Sequence, residues 1–515
     1  MKRKLLAGFM AVCLILTLLP ATALAADEGV TTAPDAGTGS TATYVAEVGG
    51  EKYTTLQAAI NKAENGETVK LIADATEATI QIPKDQEIVL GLGGNTLTLT
   101  GGVAIQDVAY KNGIVAAFVN DGTLKIQNGT IKSTGDAHAI ANRGTLTIAK
   151  NAAVTSSTGY VILNLGGDLT TSGNLTNTKG DGIGTCGGSV KVLGGTVQAK
   201  NQSASAATLV AFNRAYDNNS QGADVTISGG NFDSYYYAVS TNNLYSGGET
   251  PCNVTITGGT FTSYLSTIYW PSAGTVTVGN PDGTGPSLTS THGSAMEVCS
   301  GTLQVQGGML TGQGQTGATA DWLVSGYRNN SGAGGAGDAL TIIARRGSGY
   351  DSADLNVTVT GGTFNTKTEY AIRYMDCNLC SDKQIDQDVM VSVSGGEFNG
   401  GISAVDAYFV AAADQNFITG GDFSSDVSAY VAPNYECTDP DQDGIYTVSK
   451  MEDKLVVGGT VSGDKVIGTL EGTFGGSGTT VEDNTSSDIT GSGAETTTND
   501  VAIDLTTTAT NTTFT

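Results

Sequence analysis

Charge is scarce in this chain of 515 residues, and positive charge is scarcer still. Asp, Glu, Lys and Arg make up 15% of it, 25 basic against 50 acidic, for a formal net charge of −25. A surface of that sign repels nucleic acid and anionic lipid, and it repels polyanions such as pectate unless calcium bridges them. Cysteine is sparse too. After Cys13 come only Cys186, Cys252, Cys299, Cys377, Cys380 and Cys437, too few over this length for a fold built on a disulfide framework. Histidine occurs twice, at His138 and His292. Helical periodicity is missing from most of the sequence, which excludes a helical fold. What is abundant is glycine, 72 residues or about twice its usual share, together with Thr, Ser and Asn. The 39% of hydrophobic residues is too many for a disordered chain.

The first residues carry an address. Lys2, Arg3 and Lys4 precede an apolar run from Leu5 to Leu19, and Ala23-Leu24-Ala25 closes it with a small-x-small pattern. This reads as a secretory signal peptide over residues 1–25, too short to span a membrane. Its removal takes away three basic residues and no acidic one, so −25 becomes −28. A polar linker, 26–43, follows. The expectation is a secreted or cell-surface protein of a bacterium with a Gram-positive style of signal, without membrane insertion once the signal is gone.

The body of the chain repeats itself. VTITGGTFTS from Val254 returns as VTISGGNFDS from Val225, VTVTGGTFNT from Val357 and VSVSGGEFNG from Val391, with looser copies at Leu124, Val190 and Leu303. Each copy carries three apolar beats. From Val225, Val225 and Ile227 share a face, Gly229-Gly230 turns, Phe232 follows, and YAVS from Tyr237 supplies the third beat. Other third beats are HAIA at His138, YVIL at Tyr160, YAIR at Tyr370 and SAVD at Ser403. The starts at Leu124, Leu146, Leu169 and Val190 lie about 22 residues apart.

Three short strands returning at that interval form one coil of a parallel β-helix. One coil cannot bury its apolar face, whereas stacked coils enclose a continuous core. Gly and Asn mark the corners, where the chain turns through positive φ. The predicted fold is all-β: a right-handed parallel β-helix of three-strand coils over 44–432, with Val225 beside Val254 and Phe232 beside Phe261. Insertions around 240–252, 327–353 and 373–388 are expected to leave after the third strand and to project along one side.

The ends are read separately. YTTLQAAINKAENGETVKLI, residues 53–72, predicts a short N-terminal capping helix. Thr54 and Gln57 have capping-box spacing, Leu56, Ala59, Ile60 and Ala63 make one apolar face, and Gly66 ends the segment. Residues 433–450 predict a closing hairpin. Residues 451–515 read as a Gly/Ser/Thr-rich linker leading to a strand at Val501, Ile503 and Leu505, either the start of a further domain cut short or a disordered tail.

The stretch 53–72 with its following strand resembles the N-terminal cap of pectin-lyase-like β-helix proteins, pectin methylesterases among them. SGGEF and GGDFSSDVSAYVAPNYECTDPDQDGIYTVSK, Gly420 to Lys450, resemble the closing unit of secreted β-helix proteins from Gram-positive gut anaerobes. The resemblance covers roughly residues 44–450 and implies the right-handed parallel β-helix. Enzymes of that superfamily act on acidic polysaccharides, so each of their sites is looked for. The esterase stretch of the type GxVDFIFG has no counterpart. NTKGDGIG from Asn177 offers Asp181, without the aspartate pair or the GHG histidine that a polygalacturonase adds. Glycoside hydrolysis ordinarily needs two carboxylates, so Asp181 reads as a turn residue. His138 stands where Tyr160 and Tyr237 stand in other copies and reads as a repeat position.

For a pectate lyase the nearest set is Arg345, Arg346, Asp351 and Asp354, with a solvated charged loop as the alternative. DPDQDG places Asp439, Asp441, Asp443 and Gly444 at the first, third, fifth and sixth places of a calcium loop, but Lys450 stands where a Glu is needed. Asp443-Gly444 is also a favoured hairpin turn, and both readings stay open. Cys377 and Cys380 are half of a zinc site without the other half. Tyr235, Tyr236, Tyr264, Tyr269 and Trp270 are the ligand-binding candidates: the offset of 29 between copies brings Tyr235 near Tyr264, and rigid aromatics suit sugar rings. Core or corner filling is the alternative.

The expected role is a non-catalytic, adhesin-like or glycan-binding stalk, with a polysaccharide or surface glycan as partner and no cofactor beyond the calcium loop. The rivals are a polysaccharide lyase or hydrolase, and a passive spacer. Convergent carboxylates with Arg or Lys would favour the enzyme; an aromatic strip alone would favour binding. Fold cannot choose among them.

Overall fold

Parallel pairing dominates the computed structural model. It describes residues 43–451 except 106–112, 203–205, 214–221, 243–249, 315–336, 345–353, 377–387, 402 and 409–413. Beyond 451 it describes the strand segments 455–462, 465–472, 480–481, 489–490 and 497–503. Two long sheets carry the coils: one of 28 strands takes the first and second strands of each coil, and one of 13 takes the third. The register follows the repeat. Leu124 lies beside Leu146, then Leu169, Val190, Val225, Val254, Val276, Leu303, Val357 and Val391, one per coil.

The second strands stack in the same way. Phe232 and Phe261 are register partners with ring centroids 4.4 Å apart and planes 9° apart. Phe364, Phe398 and Phe423 continue the pattern at 4.7 Å per step. All five rings are buried. A ring that closes one coil is therefore the surface on which the next is laid, which is why the sequence writes the same residue again.

The paired glycines have two separate causes. At Gly259 the backbone turns at φ +105°, a region that side chains other than glycine's disfavour. At Gly258 the reason is proximity, since a Cβ there would stand 2.6 Å from the Ser228 carbonyl oxygen of the preceding coil. One glycine makes the corner and the other lets the coils close.

Inside the third corner an amide file replaces hydrophobic stacking. Asn120, Asn142 and Asn164 are fully buried. Each Nδ2 donates to the next Oδ1 at 2.7 Å, and Asn164 passes the file on to Thr185 Oγ1 at 3.3 Å. Asn142 and Asn164 also donate to the corner carbonyls of Gly144 and Gly167. The file begins at Asn120, whose Oδ1 has no donor because Ile82 occupies the neighbouring place.

Helix α1, Leu56–Lys62, buries Leu56, Ala59 and Ile60. Its N-cap is Thr55, which accepts from Ala58 N at 3.2 Å, so the expected Thr54–Gln57 box is not the one formed. Gln57 instead ties its side chain to Gln81, accepting from its N–H and donating to its carbonyl. Ala63 is the C-cap and packs, partly buried, against the same core. At the other end, Tyr435–Thr438 and Tyr446–Lys450 form an antiparallel hairpin, whose second strand runs antiparallel to Ile418–Phe423. Strands Leu455–Ser462, Lys465–Gly472 and Thr497–Ile503 make a separate antiparallel sheet. No described helix is long and apolar enough to cross a membrane.

One expectation is corrected. The stretch 327–353 contains Leu340–Ala344, a buried third strand paired with Met296–Val298 and Tyr370–Asp376. Residues 313–339 thus fall between second and third strands, whereas 345–354 follow the third strand as expected. The copy that precedes it, LQVQGGMLTG from Leu303, is separated from this strand by residues 313–339, so the spacing of the repeat does not announce it.

Breaking the amide file should be costly. Asn142→Ala is expected to lower unfolding free energy by about 2–4 kcal/mol, because it removes one of the two acceptors of Asn120 Nδ2 and the donor to Asn164 Oδ1 in the interior. Thr226→Ala, on the exposed face of a first strand, should lose under about 1 kcal/mol. Denaturant titration of both variants decides, and equal losses would show the file to be dispensable.

Candidate functional site

The outward face of the 13-stranded sheet changes character along the axis. Leu163, Gly184, Val210, Ser240, Tyr269, Glu297, Thr341, Arg373 and Asp406 are register neighbours in one file. Up to Val210 the file is apolar, and from Ser240 onward it is polar or charged. Among the described residues, the fully buried charged side chains are Glu297, Asp338, Glu369 and Arg373. All four belong to this later part.

Arg373 is the centre. Its Nε donates to Asp338 Oδ2 at 2.8 Å, Nη2 to Glu369 Oε2 at 2.8 Å, and Nη1 to Asp406 Oδ2 at 3.3 Å. The Arg373 side chain is 5% exposed, those of Asp338 and Glu369 0% and 3%, and that of Asp406 25%, so Asp406 is the one that meets solvent. The Tyr370 ring lies 4.5 Å from the guanidinium carbon, a cation–π contact. Asp338 also accepts from Thr341 Oγ1 at 2.9 Å and from Tyr370 N at 3.2 Å, and Thr341 shares a 2.6 Å hydrogen bond with Ser294.

One guanidinium faces three carboxylates. Burial, with the charge of Asp338 added, pushes Glu369 up to about 7, against the opposing pull of Arg373. Burial likewise raises Asp406, again opposed by Arg373. Burial works against the charge on Arg373, but Asp338, Asp406 and Glu369 outweigh it and hold its pKa above the ordinary value. Perturbed carboxyls gathered beside an arginine are the usual mark of a functional site, and structural ion networks share that mark.

The aromatic candidates divide. Tyr235 stacks on Tyr264 at 4.7 Å and 11°, and Tyr264 on His292 at 3.9 Å and 21°. Tyr236 meets Tyr235 and Tyr237 edge-on, and Tyr237 stacks on Tyr269 at 4.9 Å. Tyr235, Tyr236 and Tyr264 are half-buried and His292 is exposed. Trp270 is a correction: it is fully buried in the core, in register with Val298. Successive residues of a strand point to opposite faces, so Tyr269 and Trp270 cannot both face outward. Tyr269 does face outward, at 4% exposure, packed against Tyr237.

Arg345, Arg346 and Asp351 lie outside the described residues, as do Cys377 and Cys380. Asp354 is exposed and accepts the Asp388 N–H at 3.2 Å. Asp439 accepts from Asp443 N and Gly444 N at 3.2 and 3.1 Å, and Asp443 from Ile445 N at 2.9 Å, contacts that a tight turn requires. Asp441 stands exposed between them. Asp181 is no turn residue: it opens the third strand Asp181–Cys186 and accepts from Ala207 N at 2.7 Å. Burial raises its pKa to about 6. His138 accepts from Tyr160 N at 2.9 Å, and burial lowers it to about 4, so its imidazole is neutral near pH 7.

No family model, curated protein or solved structure matches the chain. The Arg373 cluster was missed from sequence, yet half of it was written there. YAIR and SAVD are third beats of consecutive coils, and their fourth residues are Arg373 and Asp406. Asp338 gives no signal, because it lies within 327–353, a stretch outside the recognisable copies.

Two measurements follow. Arg373→Met should destabilise by about 3–5 kcal/mol, since buried carboxylates lose their counter-charge, and Asp406→Asn should cost about 1 kcal/mol or less; denaturant titration compares them. The second concerns pH. The raised pKa of Asp181 makes its contribution to stability grow as pH falls from about 6 towards 4, while the lowered pKa of His138 makes its contribution shrink over the same interval. The two offset one another in the wild type. His138→Asn should therefore gain stability relative to wild type as pH falls from about 6 to 4, read as the difference in melting temperature; a constant difference would refute the pairing.

Proposed function

We propose that this chain is an exported right-handed parallel β-helix of the pectin-lyase-like kind, secreted or held at a cell surface, that binds glycan without cleaving it. The observation that carries the reading is the file of Tyr235, Tyr264 and His292 on three consecutive coils, outside the core. The file sits on stacked β-structure, so little conformational entropy is lost when a sugar chain settles on it. Its geometry also refines the mode of binding. Ring faces 4.7 and 3.9 Å apart cover one another, which leaves ring edges, phenol hydroxyls and the exposed imidazole for a ligand. A sugar would be gripped through hydrogen bonds and C–H contacts along the file more than by stacking.

The test is retention of the mature protein on a polysaccharide panel. Tyr235→Ala/Tyr264→Ala should weaken retention roughly tenfold while the protein stays folded at the assay temperature. A double variant that melts early yet binds as wild type would make those rings part of the packing only.

A second reading is favoured by one observation: Asp338, Glu369 and Asp406 converge on Arg373, the arrangement expected of a polysaccharide lyase or hydrolase. Against it stands the engagement of each carboxylate by the guanidinium, with three of the four side chains at 5% exposure or less. We expect no unsaturated or reducing product from polygalacturonate, with or without calcium. Release of product by wild type that disappears in Asp406→Asn would make the cluster an active site and overturn the binding reading.

A further inference from the structure

The strands that hold the Arg373 cluster belong to three successive coils: Leu340–Ala344, Tyr370–Asp376 and Ser403–Tyr408. Asp338 stands just before the first, Glu369 just before the second, Arg373 within the second and Asp406 within the third. One side chain thus ties the three coils together from outside the core. The same strands root the two longest departures from the repeat, 313–339 and 377–388. Residues 313–339 lead into the first, 345–354 leave it, and 377–388 leave the second. Elsewhere two residues, 264–265, suffice between second and third strands.

We propose that Arg373 and the three carboxylates around it form a proton-sensitive clasp on these coils, tight in acid and slackened above neutrality. The charge count among the described residues points to it. With all three carboxylates ionised, the one guanidinium described there leaves an excess of two negative charges where the side chains of Asp338 and Glu369 are almost wholly removed from water. Such an excess is unfavourable and is relieved when one carboxyl takes a proton. Asp338 accepts three hydrogen bonds, from Arg373, Thr341 and Tyr370 N. Glu369 is the better choice: Arg373 engages it through Oε2 alone. Its raised pKa agrees.

The polar and titratable groups facing the cluster among the described residues are, strand by strand, Glu297 on Met296–Val298, Thr341 on Leu340–Ala344, Tyr370 on Tyr370–Asp376, and Ser403 and Asp406 on Ser403–Tyr408. Ser294 precedes the first of these strands and is bonded to Thr341. Tyr370 is raised by the same surroundings. None supplies a second positive charge. Glu369 sits above its unfolded value, so its contribution is full in acid and declines as pH rises through about 7.

Hydrogen exchange on the full mature chain tests this, corrected for the intrinsic pH dependence of exchange. Between pH 5.5 and 8.5, peptides covering 340–344, 370–376 and 403–408 should lose roughly tenfold or more of their protection. Peptides covering 252–263, a stretch without buried charge, should not. Glu369→Gln, which fixes the neutral form, should keep the acid-state protection at both pH values. Protection that is independent of pH in the wild type would overturn the clasp. So would a Glu369→Gln variant that loses protection with pH as the wild type does.

Discussion

In-register stacking of parallel coils is the constraint on which everything else in this molecule rests. A coil of three short strands has no interior of its own, so each inward side chain must be completed by its counterpart one coil away. That requirement explains the phenylalanine stack at 4.4 Å between Phe232 and Phe261. It explains the two glycines at the corner, one for positive φ and one because the Ser228 carbonyl arrives too close for a Cβ at Gly258. It also dictates that outward residues fall into files spaced by the strand separation, about 4.8 Å. Nothing on the surface of such a solenoid is isolated; every residue has a neighbour above and below.

The same rule decides which polar groups can be buried. Asn120, Asn142 and Asn164 succeed because an amide both donates and accepts, so identical residues satisfy one another along the file. A charged residue cannot be treated that way, since its copy would repel it. The charged cluster accordingly lies on an outward face, with an arginine against unlike neighbours, Thr341 on one side and Asp406 on the other. Even so it does not close: the amide file ends neutral, whereas one guanidinium among three carboxylates remains out of balance. Order in the first case and titration in the second come from one geometric fact.

How much of this was legible in the sequence follows the same line. Repeated residues announced themselves: Val225 beside Val254 and Phe232 beside Phe261 required only alignment of the copies. Features fixed by a single contact did not. Thr54 and Thr55 are both sound N-cap residues, and the choice fell to Thr55 with its bond to Ala58 N. Leu340–Ala344 is hidden because residues 313–339 separate it from the second strand of its coil, a stretch longer than the interval of the repeat. Trp270 was misplaced by reading two adjacent aromatics as one surface, although alternation along the strand sends one inward. Asp338 and Glu369 reach Arg373 from beyond strand starts, where the repeat does not constrain the chain and alignment has nothing to say.

It follows that a search for chemistry in a ladder protein should look where the repeat fails. A file of like neutral residues, such as Thr226, Thr255 and Thr277, is stable because each hydroxyl tolerates its copy. It is also uniform, and offers no point of reference to a ligand. A file of like aromatic rings consumes its own faces, as Tyr235 and Tyr264 do, and gives a ligand only the margins. Unlike neighbours are different. Where Ser240, Tyr269, Glu297, Thr341, Arg373 and Asp406 succeed one another, each step breaks the translational symmetry that stacking favours. Nothing in the packing of the core requires those breaks, because the residues face away from it. Their presence on one face, over consecutive coils, is a departure that fold stability alone does not explain.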